Sequence, residues 1–262
     1  MIAALILAGG KMSQGLEAVA DGATNRALIK VGASGETMLD LVVRAVRGGM
    51  RDTGRVLVAG DVPLLEGCEP VRGGESFVDT LMNGVAALKT NETWLLLATA
   101  DAPFLTMDAV ADFVKRADAF RDAPFVYPLI DAGDCTRAFP GMKRTALKIA
   151  EGTFTGGNLA LLSPDFLRQN APVIRDAYAL RKNIPGLART LGAGMIARLA
   201  ASRLFPSLLG IAHVEIALGR LLQCARPRAV ITPFASIGAD VDRPEDVAIA
   251  RIILREMATE RS

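Results

Sequence analysis

The chain has 262 residues, of which 51% are hydrophobic and 22% are charged, a composition that excludes wholesale disorder. Its 30 basic and 28 acidic residues leave a net charge of +2, so no nucleic-acid partner is expected from its overall charge. One histidine excludes sites that need two or more histidines, and three cysteines without a CxxC pair predict a reducing, cytoplasmic setting rather than a disulfide framework.

The first predicted element is an apolar strand at the N-terminus. Residues Ile2–Leu7 follow no basic segment, and the apolar run ends at Gly9 and Gly10. This pattern is typical of a buried strand rather than of a signal peptide. No run of about 18 uncharged apolar residues occurs in the chain, so we expect no membrane-spanning helix.

Apolar runs alternate with helical patterns along most of the chain. In chain order, the later predicted strands are Arg55–Ala59, Trp94–Ala100, Phe125–Ile130, Leu159–Leu162 and Ala229–Ile231. Helical spacing is found at residues 38–46, 77–85, 109–117 and 247–257. Because buried strands that alternate with amphipathic helices are typical of a covered parallel sheet, we predict a three-layer α/β/α fold with a mostly parallel sheet.

The alternation breaks at residues 175–223, which we predict to be a helical insertion within a single domain of residues 1–262. Between Arg175 and Arg228 there are nine basic and two acidic residues, so this block carries +7 and the rest of the chain −5. The insertion is also rich in leucine. The insertion could be a helical cap on the sheet, a homodimer contact or a membrane-binding surface. We favour the cap or the homodimer contact.

The first strand runs directly into a glycine pair, where the backbone can approach a phosphate and offer amide hydrogens. The segment consists of Leu7, Ala8, Gly9, Gly10 and Lys11. Arg26 and Lys30 lie downstream as further cations that suit a phosphate. The pattern is neither a Walker A loop nor GxGxxG, and a tight turn is the alternative interpretation.

Three aspartates are candidate metal ligands. Asp101 follows the most apolar predicted strand, at the end where open α/β sheets bind ligands. A carboxylate there suits Mg²⁺, which takes one or two carboxylates together with substrate phosphates. Asp240 and Asp242 flank one residue and share a face of an extended backbone, so either is a candidate second ligand. The alternatives are a turn aspartate at Asp101 and a capping box in which Asp242 begins a helix.

Two other glycine-containing segments precede predicted elements. Gly157 and Asn158 lead into a short strand, where small size permits close approach and the amide offers a donor and an acceptor. Ser76 follows a glycine pair and is suited to cap a helix whose first amides face a base or a phosphate. A bulge and a capped surface helix are the respective alternatives.

The order of these segments resembles that of the MobA-like NTP transferases. In this chain LAGG ends the first strand, a lysine follows, DAPFL ends a later strand, a Gly-Gly-Asn strand comes next, and DVDRPEDV precedes the last helix. The family includes molybdenum cofactor guanylyltransferase and sugar-phosphate nucleotidyltransferases and has a GT-A-type fold. The resemblance covers about residues 1–170 and 227–255.

For the nucleotide, the resemblance implies that the backbone of Leu7–Gly10 lines the site, that Lys30 contacts the phosphates and that Ser76 lies near the base. The family usually continues LAGGxSxRMG, with an arginine soon after the glycines. This chain has no arginine there, and Lys11 and Arg26 are the candidates to replace it.

For the metal and the acceptor, the resemblance implies that Asp101 holds Mg²⁺, with Asp242 as the second ligand and Asp240 as a weaker candidate. Gly157 and Asn158 would contact the second substrate. Members of the family join a nucleoside triphosphate to a phosphorylated acceptor and release pyrophosphate.

The predicted function is therefore that of a Mg²⁺-dependent nucleotidyltransferase. A phosphate dianion as nucleophile carries no proton that must be removed, which is compatible with a chain that has a single histidine. The alternatives are a GT-A glycosyltransferase that uses a sugar nucleotide and a non-catalytic nucleotide-binding module.

Overall fold

The structure is a computed structural model that describes residues 1–10, 12, 15–51, 54–180 and 191–259. The described residues contain one nine-stranded sheet. Its strands are β1 (Ile2–Leu7), β2 (Val56–Ala59), β3 (Glu69–Val71), β4 (Trp94–Thr99), β5 (Phe125–Asp131), β6 (Leu147–Ile149), β7 (Gly152–Gly156), β8 (Leu159–Leu162) and β9 (Arg228–Thr232).

The sheet is mostly parallel, which confirms the predicted fold class. Its order is β3-β2-β1-β4-β8-β5-β7-β6, and β9 pairs with β5. Among the described strands, β7 and β8 run antiparallel to the others. The carboxyl ends of β1, β2 and β4 therefore meet at one edge of the sheet, where ligands bind in folds of this kind.

Helices cover both faces of the sheet. The described helices are α1 (Met38–Gly49), α2 (Phe77–Ala86), α3 (Met107–Ala117), α4 (Ala132–Ala138), α5 (Pro164–Leu180), α6 (Ala193–Ser202), α7 (Ile211–Leu221) and α8 (Pro244–Thr259). In β1, Ile6 packs in the core beneath α1 and α3, whereas its neighbour Leu5 packs in the core beneath α2 and α5. Because both faces of β1 are buried, its sequence is continuously apolar rather than alternating.

Three short strands, β3, β6 and β7, and helix α4 are not predicted by the sequence pattern. The three strands have only three to five residues each and contain polar residues or proline, such as Pro70 and Lys148. An apolar period cannot be read over so few residues. Their strand character comes from pairing with neighbours rather than from their own composition.

Residue 175, the predicted start of the helical insertion 175–223, does not begin a helix; the sequence Ser163-Pro164-Asp165, which is typical of a helix start, does. Helix α5 begins at Pro164 and continues to Leu180, so residue 175 lies inside that helix. Residues 181–190 lie outside the described residues, and α6 and α7 follow. Strand β9 comes next and pairs in parallel with β5, so strands from both sides of the segment belong to one sheet. In the described part of the chain, every helix is too short or too polar to cross a membrane.

A buried carboxylate joins α7 to the sheet. Glu215 accepts hydrogen bonds from Arg226 Nε (2.6 Å) and from the backbone amide of Ala229 in β9 (2.9 Å). A second guanidinium, that of Arg228, lies 3.7 Å away. Because a carboxylate is costly to bury unless it is paired, these contacts specify where α7 lies on the sheet.

We expect Glu215→Ala to lower the free energy of unfolding by about 1–3 kcal/mol, because it removes a buried carboxylate that accepts from the half-buried amide of Ala229 and pairs with two guanidinium groups. Chemical denaturation measures the change. The matched control is Glu256→Ala, which removes an exposed carboxylate from α8 and should cost less than about 0.5 kcal/mol. Equal stability of the two variants would contradict an anchoring role for Glu215.

Candidate functional site

Three charged side chains from distant parts of the chain meet at the carboxyl edge of the sheet. Asp101 lies two residues beyond β4, and Asp242 lies two residues before α8. The guanidinium of Arg26 forms ion pairs with both carboxylates, through Nη2 to Asp101 and through Nη1 to Asp242. The structure thus brings together two of the predicted metal ligands and one of the predicted phosphate cations.

Arg26 is positioned by the residue before it. Asn25 is buried, its side-chain amide donates to the carbonyl of Ala8 (2.7 Å), and its side-chain oxygen accepts from the amide of Ala27 (2.9 Å). Asn25 therefore caps a short 3-10 helix that begins at Arg26 and ties it to the end of β1. A Cβ atom on Gly10 would lie 3.2 Å from Arg26 Nε, so the glycine loop packs directly against the guanidinium.

The backbone of Asp101 positions the second carboxylate. Its carbonyl accepts a hydrogen bond from the amide of Val241 (2.8 Å), which places Asp242 beside it. The carboxylate of Asp246 accepts from the amides of Asp242 (3.2 Å) and Arg243 (3.0 Å) at the start of α8. The sequence predicted that Glu245 would complete a capping box with Asp242. In the structure it is Asp246, not Glu245, whose side chain accepts from the backbone at the helix start.

Asp240 faces a different cation. Its carboxylate forms an ion pair with Arg144, and both side chains are largely buried. Burial is the largest cause that raises the pKa of Asp240 to about 7; the Asp242 and Asp101 carboxylates also raise it, and Arg144 lowers it. A carboxyl that is partly protonated near neutral pH is a poorer cation ligand than an ionised carboxylate.

A cavity of about 700 Å³ opens beside this cluster. Its lining includes Gly9, Gly10, Thr24, Asn25, Gly60, Asp61, Arg72, Gly73 and Gly74. The buried Thr80 holds its far wall, because its hydroxyl accepts from the amide of Gly74 (2.9 Å) and donates to the carbonyl of Ser76 (3.0 Å). The volume is in the range of small-molecule and cofactor sites.

The ends of β1 and β2 touch at this cavity. A Cβ atom on Gly60 would lie 2.6 Å from the carbonyl carbon and oxygen of Ala8, so only glycine permits the approach. The amide of Ala8 donates to the carbonyl of Ala59 (2.8 Å) across the same junction. The cavity therefore depends on two glycine segments, one after each strand.

The predicted nucleotide residues divide into those at the cavity and those outside it. Leu7 and Ala8 are buried at the end of β1, with the glycine pair beyond them on the cavity wall. Ser76 is exposed and caps α2, accepting from the amide of Asp79 (3.1 Å), and it does not line the cavity. Lys30 is exposed, and its carbonyl accepts from Arg251 Nε (3.0 Å). Lys11 lies outside the described residues.

The predicted acceptor residues make structural contacts. The side-chain amide of Asn158 donates to the carbonyl of Ile237 (3.0 Å), and its side-chain oxygen accepts from the hydroxyl of Thr99 (3.2 Å). A Cβ atom on Gly157 would lie 2.6 Å from the Ile237 side chain. Both residues thus lie at the carboxyl edge of the sheet, where they join β4 and β8 to the segment that leads to Asp242.

The carboxylates at this edge fit a cation. Asp101 Oδ1 is buried and has no hydrogen-bond partner, while the side chain of Asp242 is 56% exposed toward the open edge. Among the described residues, no group of three or more His, Cys, Asp or Glu side chains is arranged to hold a metal ion. A divalent cation held here would therefore need substrate oxygens beside the two carboxylates, which is how Mg²⁺ is usually bound.

The sequence did not predict some residues of the site. Asn25 could have been predicted, since an asparagine before Arg-Ala-Leu is typical of a helix cap. Asp61 could also have been predicted, because it follows a strand and a glycine just as Asp101 follows a strand. Arg144 could not have been predicted from the sequence, because its partner Asp240 is 96 residues away and only folding brings them together.

Comparisons with known proteins agree with this geometry. The sequence model of the family described as the MobA-like NTP transferase domain matches residues 4–168 of this chain. Among solved structures, a hypothetical transferase from Thermus thermophilus is 32% identical, with a TM-score of 0.76 over 94% of this chain and 100% of that chain. No curated protein matches this sequence.

More distant solved structures share the fold. One is a CMP:2-keto-3-deoxy-manno-octonic acid synthetase in complex with CTP, 15% identical, with a TM-score of 0.58 over 99% of both chains. Another is a 2-C-methyl-D-erythritol 4-phosphate cytidylyltransferase from Francisella tularensis, 12% identical, with a TM-score of 0.56 over 97% of this chain and 99% of that chain. The fold is thus that of the GT-A-like nucleotidyltransferases, as predicted.

We expect Gly60→Ala to lower the free energy of unfolding by about 1–3 kcal/mol, because the added methyl group pushes β2 away from the Ala8 carbonyl. Thermal unfolding measures the effect. The matched control is Gly156→Ala in β7, where a Cβ atom meets nothing within 4 Å. If both variants had the same Tm as the wild type, the close approach of Gly60 to the Ala8 carbonyl would not constrain the cavity.

Proposed function

The chain belongs to the MobA-like NTP transferase family, and we propose that it joins a nucleoside triphosphate to a phosphorylated small-molecule acceptor in a Mg²⁺-dependent reaction. The observation that supports this most directly is the placement of Arg26 between Asp101 and Asp242. A cation and two carboxylates beside a glycine-lined cavity are the charges that nucleotidyl transfer requires.

The proposed reaction exchanges one phosphoanhydride bond for another. An oxygen of the acceptor phosphate attacks the α-phosphorus of the nucleotide in line. The bond between the α-phosphorus and the oxygen that bridges to the β-phosphorus breaks, and pyrophosphate leaves with its electron pair. The acceptor phosphate is a dianion, so no protein base is needed and the work of the chain is positioning and charge neutralisation.

The glycine segments would bind the nucleotide. Gly9 and Gly10 present backbone at the cavity, and the turn at Gly73 and Gly74 forms its opposite wall. Without side chains these segments allow phosphates and a base to approach the backbone closely. The side chain of Asp61 lies on the same wall and is suited to contact a polar group of the nucleotide.

Arg26 would change partners when substrate binds. Its guanidinium is paired with two carboxylates, and it lies against Gly10, next to the proposed phosphate position. Phosphate oxygens offer a guanidinium the same bidentate geometry as a carboxylate. In this proposal Arg26 transfers from the carboxylates to the triphosphate and replaces the arginine that the glycine loop lacks.

Asp101 and Asp242 would hold Mg²⁺, which when bound neutralises the charge that develops on the phosphate oxygens. The buried, unpartnered Oδ1 of Asp101 is suited to a metal rather than to water. Asp240 would act in the same cluster by holding Arg144 and not as a ligand.

The first test is a thermal-shift panel of GTP, CTP, ATP and UTP, each with and without Mg²⁺. A ligand at about 100 times its Kd stabilises the native state by about 2.7 kcal/mol. We expect one triphosphate to raise Tm in a Mg²⁺-dependent way and Asp101→Asn to abolish that dependence. Stabilisation by sugar nucleotides alone would instead identify a glycosyltransferase.

The second part of this test is turnover, measured as pyrophosphate release from that triphosphate with a panel of phosphorylated acceptors. We expect Asp101→Asn to lower turnover on the order of 10²–10³-fold, because a positioned charge is lost at the reacting phosphate. A wild-type protein that binds the triphosphate without any turnover would point to a non-catalytic binding module.

A pair of variants tests which cation contacts the phosphates. We expect Arg26→Gln to lower kcat/KM on the order of 10²-fold, and Lys30→Gln to change it by no more than about twofold, as for an exposed side chain outside the cavity. The opposite result would assign the phosphate contact to Lys30.

Binding of Mn²⁺ without nucleotide, followed by electron paramagnetic resonance, gives an independent readout of Arg26. Because the guanidinium occupies the carboxylates in the absence of substrate, Arg26→Gln should bind Mn²⁺ about tenfold more tightly than the wild type. Equal affinity would show that Arg26 does not compete with the metal.

A further inference from the structure

Helices α6 and α7 and their connection leave large apolar side chains in solvent. Leu204 is 79% exposed and Phe205 is 63% exposed. We define the apolar patch as Leu199, Leu204, Phe205, Leu208 and Ile216, all of which are exposed. Exposed apolar residues concentrated in one short stretch, rather than scattered singly, indicate a binding surface.

The other side of the same helices is packed. Met195, Ile211 and Val214 lie against a small core that contains Ile149 and Phe154 of the β6–β7 hairpin. On that side the apolar side chains of α6 and α7 are covered by the hairpin, whereas the residues of the apolar patch stay exposed. The amide of Ala150 donates to the carbonyl of Leu209 (2.8 Å), which joins the hairpin to the connection.

The exposed charge around the apolar patch is mainly basic, with one exposed carboxylate, that of Glu151, which accepts from the amide of Ile211 (3.1 Å) at the start of α7. Residues 177–214 contain no aspartate or glutamate. Leu199 and Arg203, and likewise Ile216 and Arg220, are four residues apart, so each apolar side chain shares a helix face with an exposed arginine. Glu215, the next acidic residue, is buried against Arg226 and does not offset this charge at the surface.

The topology places the α6–α7 connection, which carries Leu204, Phe205 and Leu208 of the apolar patch, at the same end of the sheet as the cluster around Asp101. The last residue of β5, Asp131, pairs with Phe154, so the hairpin turn before Gly152 extends beyond the carboxyl end of β5. That turn contacts the connection between α6 and α7. A surface bound to the apolar patch would therefore lie near the open edge of the sheet.

We propose that the apolar patch and its arginines dock this protein onto the surface of an anionic lipid bilayer. Leucine and phenylalanine side chains enter the boundary between headgroups and acyl chains, while arginines keep their guanidinium groups at the anionic headgroups. A second copy of the chain is a poorer occupant, because a two-fold contact would bring the same arginines of both copies together.

The energetics make this a reversible, salt-sensitive association. Each arginine near an anionic surface strengthens binding by about fivefold, and exposed charges are strongly screened beyond about 8 Å at physiological salt. Two inserted side chains add an apolar contribution that salt does not weaken. The proposal does not depend on the nucleotidyl-transfer reaction and is tested without it.

The test is co-sedimentation of the full chain with vesicles of phosphatidylcholine, alone or with about one-third phosphatidylglycerol, at about 0.15 M salt. We expect binding to the anionic vesicles and at least about tenfold weaker binding to the neutral ones. The double variant Leu204→Ser/Phe205→Ser should weaken anionic binding by about tenfold or more. Arg203→Gln should weaken it by about fivefold.

The matched control is Leu64→Ser, which removes a leucine that is 73% exposed between β2 and β3, outside the apolar patch. It should bind as the wild type does, and all four proteins should have the same Tm. Absence of binding to anionic vesicles, or equal binding by the double variant, would overturn the proposal. So would a wild-type dimer in light scattering that binds no vesicles and that the double variant converts to a monomer.

Discussion

The contact of one guanidinium with two carboxylates organises the candidate site. Arg26 reaches Asp101 and Asp242 from segments that are widely separated in the chain. The three charges are held in place by the apolar residues beside them, because Ile29, Phe104 and Val241 are buried in one hydrophobic cluster. Ion pairs near a surface contribute little stability by themselves. The hydrophobic cluster therefore supplies the stability, and the ion pairs determine how Arg26, Asp101 and Asp242 are arranged.

This arrangement explains how a site without substrate tolerates concentrated acidic charge. Three aspartates lie at one edge of the sheet, and two arginines, Arg26 and Arg144, compensate for them. Burial and carboxylate repulsion still raise the pKa of Asp240. In the proposed reaction the carboxylates would hold the metal ion and Arg26 would pair with the phosphates, so the cluster would exchange internal ion pairs for pairs with the metal and the substrate.

Helices α6 and α7 pack against the sheet rather than standing apart from it. Glu215 joins α7 to β9, and a small core beneath Leu209 joins the same region to the β6–β7 hairpin. These contacts explain why α6 and α7 have a defined position although their surface carries exposed arginines and exposed apolar side chains. The contact of the β6–β7 turn with Leu209 places the α6–α7 connection at the end of the sheet that carries the acidic cluster, so a docked surface and the open site would face the same region.

The sequence by itself determined the layers of this protein, because continuous apolar strands and amphipathic helices need only local periodicity to be read. It also pointed to the glycine loop, Asp101 and Asp242, since their positions after strands and before a helix are local features. Only the tertiary structure decided that Arg26 is the cation that joins them and that Asn158 makes structural hydrogen bonds. The physical reason is that ion pairs and hydrogen bonds between distant segments depend on how the chain packs, which no local pattern records.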